Sequence, residues 1–454
     1  MYNRIHNMTQ GNPVRLIICF ALPLMLGNVF QQMYIVVDTI IVGKALGLDA
    51  LAAMGAAEWP SWLVLGIIQG LAQGFSIPMT HEFGAGNADG VKVVIADAFK
   101  LSVLSAILLI CISQAMIFPL LRGLNTPKEI INGSLVYLRI MYAGIPITFL
   151  FNLQSAILRA LGDSRTPLSA LVVASLSNIC FDFMLVMGFK CGIAGAAIAT
   201  LSAQAIANLY CLRQIRKMKV LGEINGKRIA DPITKKAMLR HGIPMALQNI
   251  MITAGSLIVQ FVVNQYGVLF VAGFAAANKL YGLLEIAAIS YGYAIVTYTG
   301  QNLGARRFNR IRDGYVTSFT ISLITSLLIT FTILLYGKDI LMIFMSGNPE
   351  DVHTALDIGY RYLKIMGIFL PILYVLHVTR STIQGMGNAF LPVAAGIAEL
   401  VMRVSSVLIL PYFVGSSGVF CAEVLAWLGS DMILIPGLIK TWKNRDKYVK
   451  SLDI

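Results

Sequence analysis

The stretch Pro23-Leu-Met-Leu-Gly-Asn-Val-Phe-Gln-Gln-Met-Tyr-Ile-Val-Val-Asp-Thr-Ile-Ile-Val-Gly43 reads as one long apolar helix with a single carboxylate, Asp38, toward its far end. A charge at the centre of a membrane helix costs about 2.5 to 3.5 kcal/mol on insertion scales. A helix that keeps one is a candidate functional helix, unless Asp38 lies at the interface and touches water. The question posed by the rest of the chain is what meets Asp38.

Composition sets the class. The chain has 454 residues, 57% of them hydrophobic and only 13% charged, against about 25% charged in a soluble domain. Mean hydropathy is +0.75. Apolar runs of helical length recur from end to end, as in an all-α polytopic membrane protein and unlike the alternation of a β-barrel. The apolar segment Leu16 to Leu26 runs on to Gly43 without a small-residue cleavage site, so it is read as a retained first span. Six cysteines (Cys19, Cys111, Cys180, Cys191, Cys211, Cys421) lie in or beside apolar runs and form no CxxC pair. They imply neither disulfides nor a metal site.

About twelve spans are expected, near 15–43, 51–79, 93–119, 133–158, 167–188 and 192–214, then 238–266, 271–299, 313–337, 358–384, 391–413 and 416–440. The net charge of +13 is explained by loop asymmetry rather than by nucleic acid. Arg216, Lys217, Lys219, Lys227, Arg228, Lys235 and Lys236 fall between the sixth and seventh spans. Arg306, Arg307, Arg310 and Arg312 follow the eighth, and Lys440, Lys443, Arg445, Lys447 and Lys450 end the chain. All share one side with both termini. That side is expected to be the cytoplasmic face of the cell (inner) membrane.

The chain repeats itself. Pro23-Leu-Met-Leu-Gly-Asn28 recurs as Pro244-Met-Ala-Leu-Gln-Asn249, Phe83-Gly-Ala85 as Leu303-Gly-Ala305, and Tyr137-Leu-Arg-Ile-Met141 as Tyr362-Leu-Lys-Ile-Met366. Pro146 matches Pro371, and the Leu-Gly-Asp before Pro167 matches the Met-Gly-Asn before Pro392. Six spans per copy give the copies the same topology, so two six-helix lobes are expected about a pseudo-two-fold along the membrane normal. The expected domains are an N-terminal lobe 1–214, a basic linker 215–237 and a C-terminal lobe with its tail 238–454. This is transporter architecture, although a duplicated scaffold would share it.

Depth counting gives Asp38 neighbours. Asn178 and Asp182 are four apart on the fifth span and share a face. Asp182, Thr200 of the sixth span and Asp38 all lie roughly 8 to 12 Å below one surface at 1.5 Å per residue. Two carboxylates, an amide and a hydroxyl suit a hard cation such as Na⁺, or a shared proton; the alternative is unrelated interhelical hydrogen bonds. The C-terminal half has no counterpart of Asp38. It carries Glu285 in the eighth span and Glu399 with Arg403 in the eleventh. Glu399 and Arg403 are spaced as a local ion pair. Glu285, with no partner in its own helix, is the better candidate for a C-lobe substrate or proton site.

No Walker A, HExxH or GxSxG motif is present, so no enzyme is expected. The ordered series of Pro23 to Gly43 with its Val-Asp-Thr, Leu161-Gly-Asp-Ser-Arg-Thr-Pro167, and Gly300-Gln-Asn-Leu-Gly-Ala305 resembles the multidrug and toxic compound extrusion (MATE) transporters. The resemblance covers essentially the full length. It implies two six-helix lobes that export organic cations in exchange for H⁺ or Na⁺. In the DinF-like bacterial branch it implies a cation site to which Asp38, Asn178, Asp182 and Thr200 correspond one for one. The NorM-like branch uses acids on the seventh and tenth helices, where this chain has Gln248 and Asn249 and no acid in the membrane core after Asp357.

The expected function is therefore secondary multidrug efflux of amphipathic cationic compounds by alternating access. The protein is expected to be a monomer in the lipid bilayer, with H⁺ or Na⁺ as coupling ion, no cofactor and no nucleic acid. The alternative is a lipid-linked oligosaccharide flippase of the same superfamily, for which a cationic cavity is wanted.

Overall fold

The computed structural model describes residues 6–124, 126–218, 232–345 and 348–444. Lys219, Lys227 and Arg228 of the expected linker, and Arg445, Lys447 and Lys450 of the tail, lie outside them. Among the described residues fourteen α-helices follow one another. They are α1 (Pro13–Leu46), α2 (Leu48–Gly84), α3 (Ala88–Gly123), α4 (Lys128–Ala143), α5 (Ile145–Ala160), α6 (Arg165–Asp182) and α7 (Gly192–Arg216). After the linker come α8 (Pro232–Val263), α9 (Val268–Gly304), α10 (Phe308–Met342), α11 (Pro349–Gly385), α12 (Phe390–Ile409), α13 (Pro411–Val414) and α14 (Ser417–Lys443). Helix α7 runs to Arg216 and α8 starts at Pro232, so the two ends of the expected linker 215–237 are helical. Among the described residues, eleven spans have the length and apolarity to cross a membrane, and the bent pair α4 and α5 makes a twelfth.

The repeat is legible in backbone geometry. Left-handed residues recur as Gly47 with Gly267, Gly86 with Arg306, Gly162 with Gly387, and Gly192 with Gly415. Each pair closes the equivalent turn in the two copies. Asp163 accepts from the backbone N–H groups of Arg165 and Thr166 at 3.0 and 2.9 Å. Asn388 does the same for Phe390 and Leu391 at 3.1 and 3.2 Å. The Gly-Asp and Gly-Asn dipeptides are thus a left-handed stop followed by a helix cap.

The chain packs as two compact units. The first comprises Met1–Gly11, Cys19–Ile250 and Gly300–Arg307; the second comprises Asn12–Ile18, Met251–Thr299 and Phe308–Ile454. The first unit therefore takes in the beginning of α8 and the end of α9, which a division at the linker would assign to the other half. Close backbone approach explains this. Gly74 of α2 lies against the backbone of Gly242 in α8, and Gly84 against the carbonyl of Gln301 at the end of α9, places where any Cβ would collide. Small residues at such crossings let helix backbones touch, the usual means of holding membrane helices together.

The unit 1 core is aliphatic, with Phe75 and Phe149 stacked at 6.4 Å between centroids. Unit 2 is built around aromatic rings: Phe270 on Phe420 at 5.4 Å, Tyr362 against Phe274 and Phe420, and Tyr281 on Trp427 at 6.1 Å.

Candidate cation site

Unit 1 brings all four residues singled out on its side of the repeat to one place. Asp38 is 8% exposed, Asn178 2% and Asp182 fully buried, so the site lies inside the helix bundle and not at a wet surface. Ahead of Thr200, α7 carries the small buried residues Gly195, Ala196, Ala197 and Ala199, and Ala196 packs with Val42 of α1 and Val186. From α6, Asn178 points its Nδ2 at Thr200 Oγ1 at 3.5 Å. The Thr200 hydroxyl donates back to the Ala196 carbonyl at 3.1 Å. Directly after Asp182 the helix widens into a π turn, Phe183–Gly188. Such turns collect at functional sites because they re-aim side chains within a continuous helix.

The carboxyls of Asp38 and Asp182 lie within hydrogen-bonding reach of each other. Asp38 Oδ1, both carboxylate oxygens of Asp182 and Asn178 Oδ1 are buried and accept no hydrogen bond from the described residues. Two ionised carboxylates have no donor to share. A proton held between them, or a cation drawing on the same oxygens, would satisfy the pair. The donor set is oxygen alone, which suits H⁺ or a hard monovalent ion and not a soft metal. Among the described residues no group of three or more His, Cys, Asp or Glu side chains is arranged to hold a metal ion.

The sequence reading left out part of the surroundings. Tyr34, one turn before Asp38, and Tyr137 of α4 lie within electrostatic reach of both acids, and Glu58 of α2 approaches Tyr137. Tyr34 was detectable from its i, i+4 spacing to Asp38. Tyr137 stood out only as part of a repeat.

Unit 2 arranges its candidates differently. Glu399 accepts from Arg403 at 3.1 Å, as the spacing allowed, and also from Arg380 of α11 at 2.5 Å. Arg403 donates to Glu423 of α14 at 2.7 Å and, through Nη1, to the Ile252 carbonyl at 3.3 Å. Arg380 is a second deeply buried base, 6% exposed. Glu399 and Arg403 form an internal ion network and not an open binding surface. Glu285 does have a partner, His377 of α11, at 3.3 Å, and both are partly exposed. Arg380, His377 and Glu423 escaped the sequence reading because each sits near an expected span end or carries no acid-base spacing within its own helix.

Known proteins agree with this architecture. The family model described as MatE matches residues 23–184 and 244–409, most of the chain and both copies of the repeat. The probable multidrug resistance protein YpnP of Bacillus subtilis strain 168 is 32% identical over 429 residues, 94% of this chain and 92% of that protein. A protein of Shewanella oneidensis named FAD transporter is 25% identical over 394 residues, covering 83% of this chain and 86% of its own. A crystal structure of MATE in complex with MaL6 superimposes with a TM-score of 0.90 at 22% identity, covering 98% of this chain and all of its own. The fold, a helical membrane protein of two lobes, is shared.

Proposed function

The chain belongs to the MatE family of membrane transporters, which are not enzymes, and we propose that it is a secondary multidrug efflux antiporter exchanging amphipathic organic cations for H⁺ or Na⁺. The observation that carries this reading is the buried set of oxygens on Asp38, Asn178 and Asp182 that accept no hydrogen bond among the described residues. A membrane protein keeps uncompensated carboxylates at such a position when their charge is used. Asp38 and Asp182 bind the coupling ion, Asn178 and Thr200 hold its surroundings, and Tyr34 and Tyr137 tune them. Ion binding and substrate binding each favour one of two access states, so that the site serves one side of the membrane at a time.

The relatives' names and the acidity of the site support this substrate class. YpnP is named a probable multidrug resistance protein, and an acidic, aromatic-flanked site favours organic cations. The surplus of basic loops on the side of both termini supports their cytoplasmic placement in the cell membrane. A lipid-linked oligosaccharide flippase is less well supported, because Arg380 and Arg403 direct their guanidiniums at Glu399 and Glu423, leaving that charge already engaged against a pyrophosphate. In unit 2, Glu285 with His377 is the candidate for an accessory substrate or proton contact.

The test is drug accumulation in inverted membrane vesicles under separately imposed pH and Na⁺ gradients. Asp38→Asn is expected to abolish gradient-driven accumulation while the protein is still made and inserted. Full gradient-driven transport by that variant would overturn the assignment.

A further inference from the structure

Unit 2 holds a further buried acid, outside the pairs of its ion network. Arg380, Glu399, Arg403 and Glu423 form a chain of alternating charge across α11, α12 and α14, two cations against two anions. Beside that chain stands Asp431 of α14. It is 7% exposed, and its Oδ1 has no hydrogen-bond partner among the described residues. Its neighbour Ser430, fully buried, accepts from Arg380 at 3.1 Å. Asp431 itself lies within electrostatic reach of Arg380 and Glu399. Glu399 already takes the shortest hydrogen bond from the Arg380 guanidinium. A buried carboxyl in this position is costly as an anion and unremarkable as a neutral acid.

We infer that Asp431 is a proton-binding carboxyl of unit 2, separate from the Asp38–Asp182 pair, whose charge sets how Arg380 is shared. Protonated, Asp431 leaves Arg380 with Glu399 and Ser430, the arrangement seen. Ionised, it becomes a second anion for the same guanidinium and draws it along α14, loosening the Arg380–Glu399 pair. The step is simple addition of H⁺ to a carboxylate oxygen and its later release; no further reactant is needed.

The charged and titratable groups around Asp431 are Arg380 on α11, Glu399 on α12 and Tyr315 on α10. Farther along the network come Arg403, Glu423 and the Glu285–His377 pair. Of the acids in the network and beside it, Asp431 is the one with an oxygen both fully buried and unbonded. The inference goes beyond the antiport reading and does not depend on it, since it concerns where a proton resides and not what is transported.

Infrared titration of the purified full-length protein in lipid nanodiscs tests it. Raising the pH should remove a protonated-carboxyl C=O band that is present in wild type and in Asp38→Asn. Asp431→Asn should lack that band. Should Asp431→Asn not fold, Asp431→Glu should keep the band at a shifted frequency. A band that is unchanged in Asp431→Asn, or unshifted in Asp431→Glu, overturns the assignment. Failure of ion-coupled transport in vesicles would leave these spectra as they are, so the two readings fail separately.

Discussion

Gly86 and Arg306 occupy the same left-handed position in the two copies of the repeat, with φ of 73° and 56°. In each, the next residue donates its backbone N–H five residues back, Asn87 to Glu82 at 3.0 Å and Arg307 to Asn302 at 2.8 Å. Nothing lies within 4 Å of a Cβ built on Gly86, so substituting it isolates the backbone cost. Gly86→Ala is expected to lower stability by about 1 to 2 kcal/mol, and Gly86→Asn by less, because Asn tolerates this conformation. Thermal unfolding in detergent measures both; an Ala variant as stable as wild type would refute the geometric account. Glu399 offers the contrasting case of a residue whose value lies in its partners. Glu399→Gln leaves Arg380 and Arg403 facing a neutral amide in a buried site, with an expected loss of about 3 to 5 kcal/mol in the same assay. The residues at the unit 1 site were legible because helix rise alone places Asp38, Asp182 and Thr200 at one depth. Asp431 was not. It sits inside Trp427-Leu-Gly-Ser-Asp-Met-Ile-Leu434, an apolar run with no charged neighbour in sequence, and its significance comes from Arg380, some fifty positions away.

At the scale of elements, the proline that both copies share does not give both the same shape. Pro146 and Pro371 are repeat partners, yet α11 passes Pro371 as one helix whereas the fourth span breaks into α4 and α5 with a bend of 51°. The difference is Gly144, two residues before Pro146, where the other copy has Phe369. Gly144 N–H bonds to the Ile140 carbonyl at 3.0 Å and its own carbonyl starts α5, so the residue is at once the cap of one helix and the beginning of the next. Proline removes a backbone donor and glycine weakens the helix around it, which together make a kink. The break also carries α5 against α7, where a Cβ on Gly144 would strike the side chain of Leu201. Gly144→Ala is therefore expected to cost about 1 to 3 kcal/mol through overpacking, and Leu201→Ala in the same chain to restore part of it. A double-mutant cycle by thermal unfolding measures the coupling; additive losses would show that the two side chains do not meet. Periodicity and proline spacing made the span itself legible, but a bend that depends on a partner helix has no signature in the local sequence.

At the scale of the whole molecule, duplication and packing draw different boundaries. The sequence repeat divides the chain at its basic linker, while unit 1 includes residues 300–307 from beyond that linker. The reason lies in Gly300-Gln-Asn-Leu-Gly-Ala305, a motif whose use was not evident from sequence. Gln301 accepts from Met8 N–H at 2.9 Å and donates to the Ala160 carbonyl at 2.9 Å; Asn302 donates to the Met8 carbonyl at 3.0 Å, and Arg307 to the Thr9 carbonyl at 2.6 Å. From α8, Asn249 donates to the Gly66 carbonyl at 2.8 Å. Met8 is fully buried, so its backbone groups depend on these partners, and a buried backbone group left unpaired costs about 1 to 3 kcal/mol. A chain cut between residues 219 and 231 interrupts no described helix. The two fragments, expressed together, are expected to copurify through a tag on either one and to give the yield of the intact protein. The N-terminal fragment alone lacks Asn249, Gln301, Asn302 and Arg307, and its yield in the membrane fraction is expected to fall several-fold. Gln301→Ala in the second fragment should weaken the copurification. An N-terminal fragment that accumulates normally without its partner would mean that the repeat, and not the observed packing, marks the folding unit.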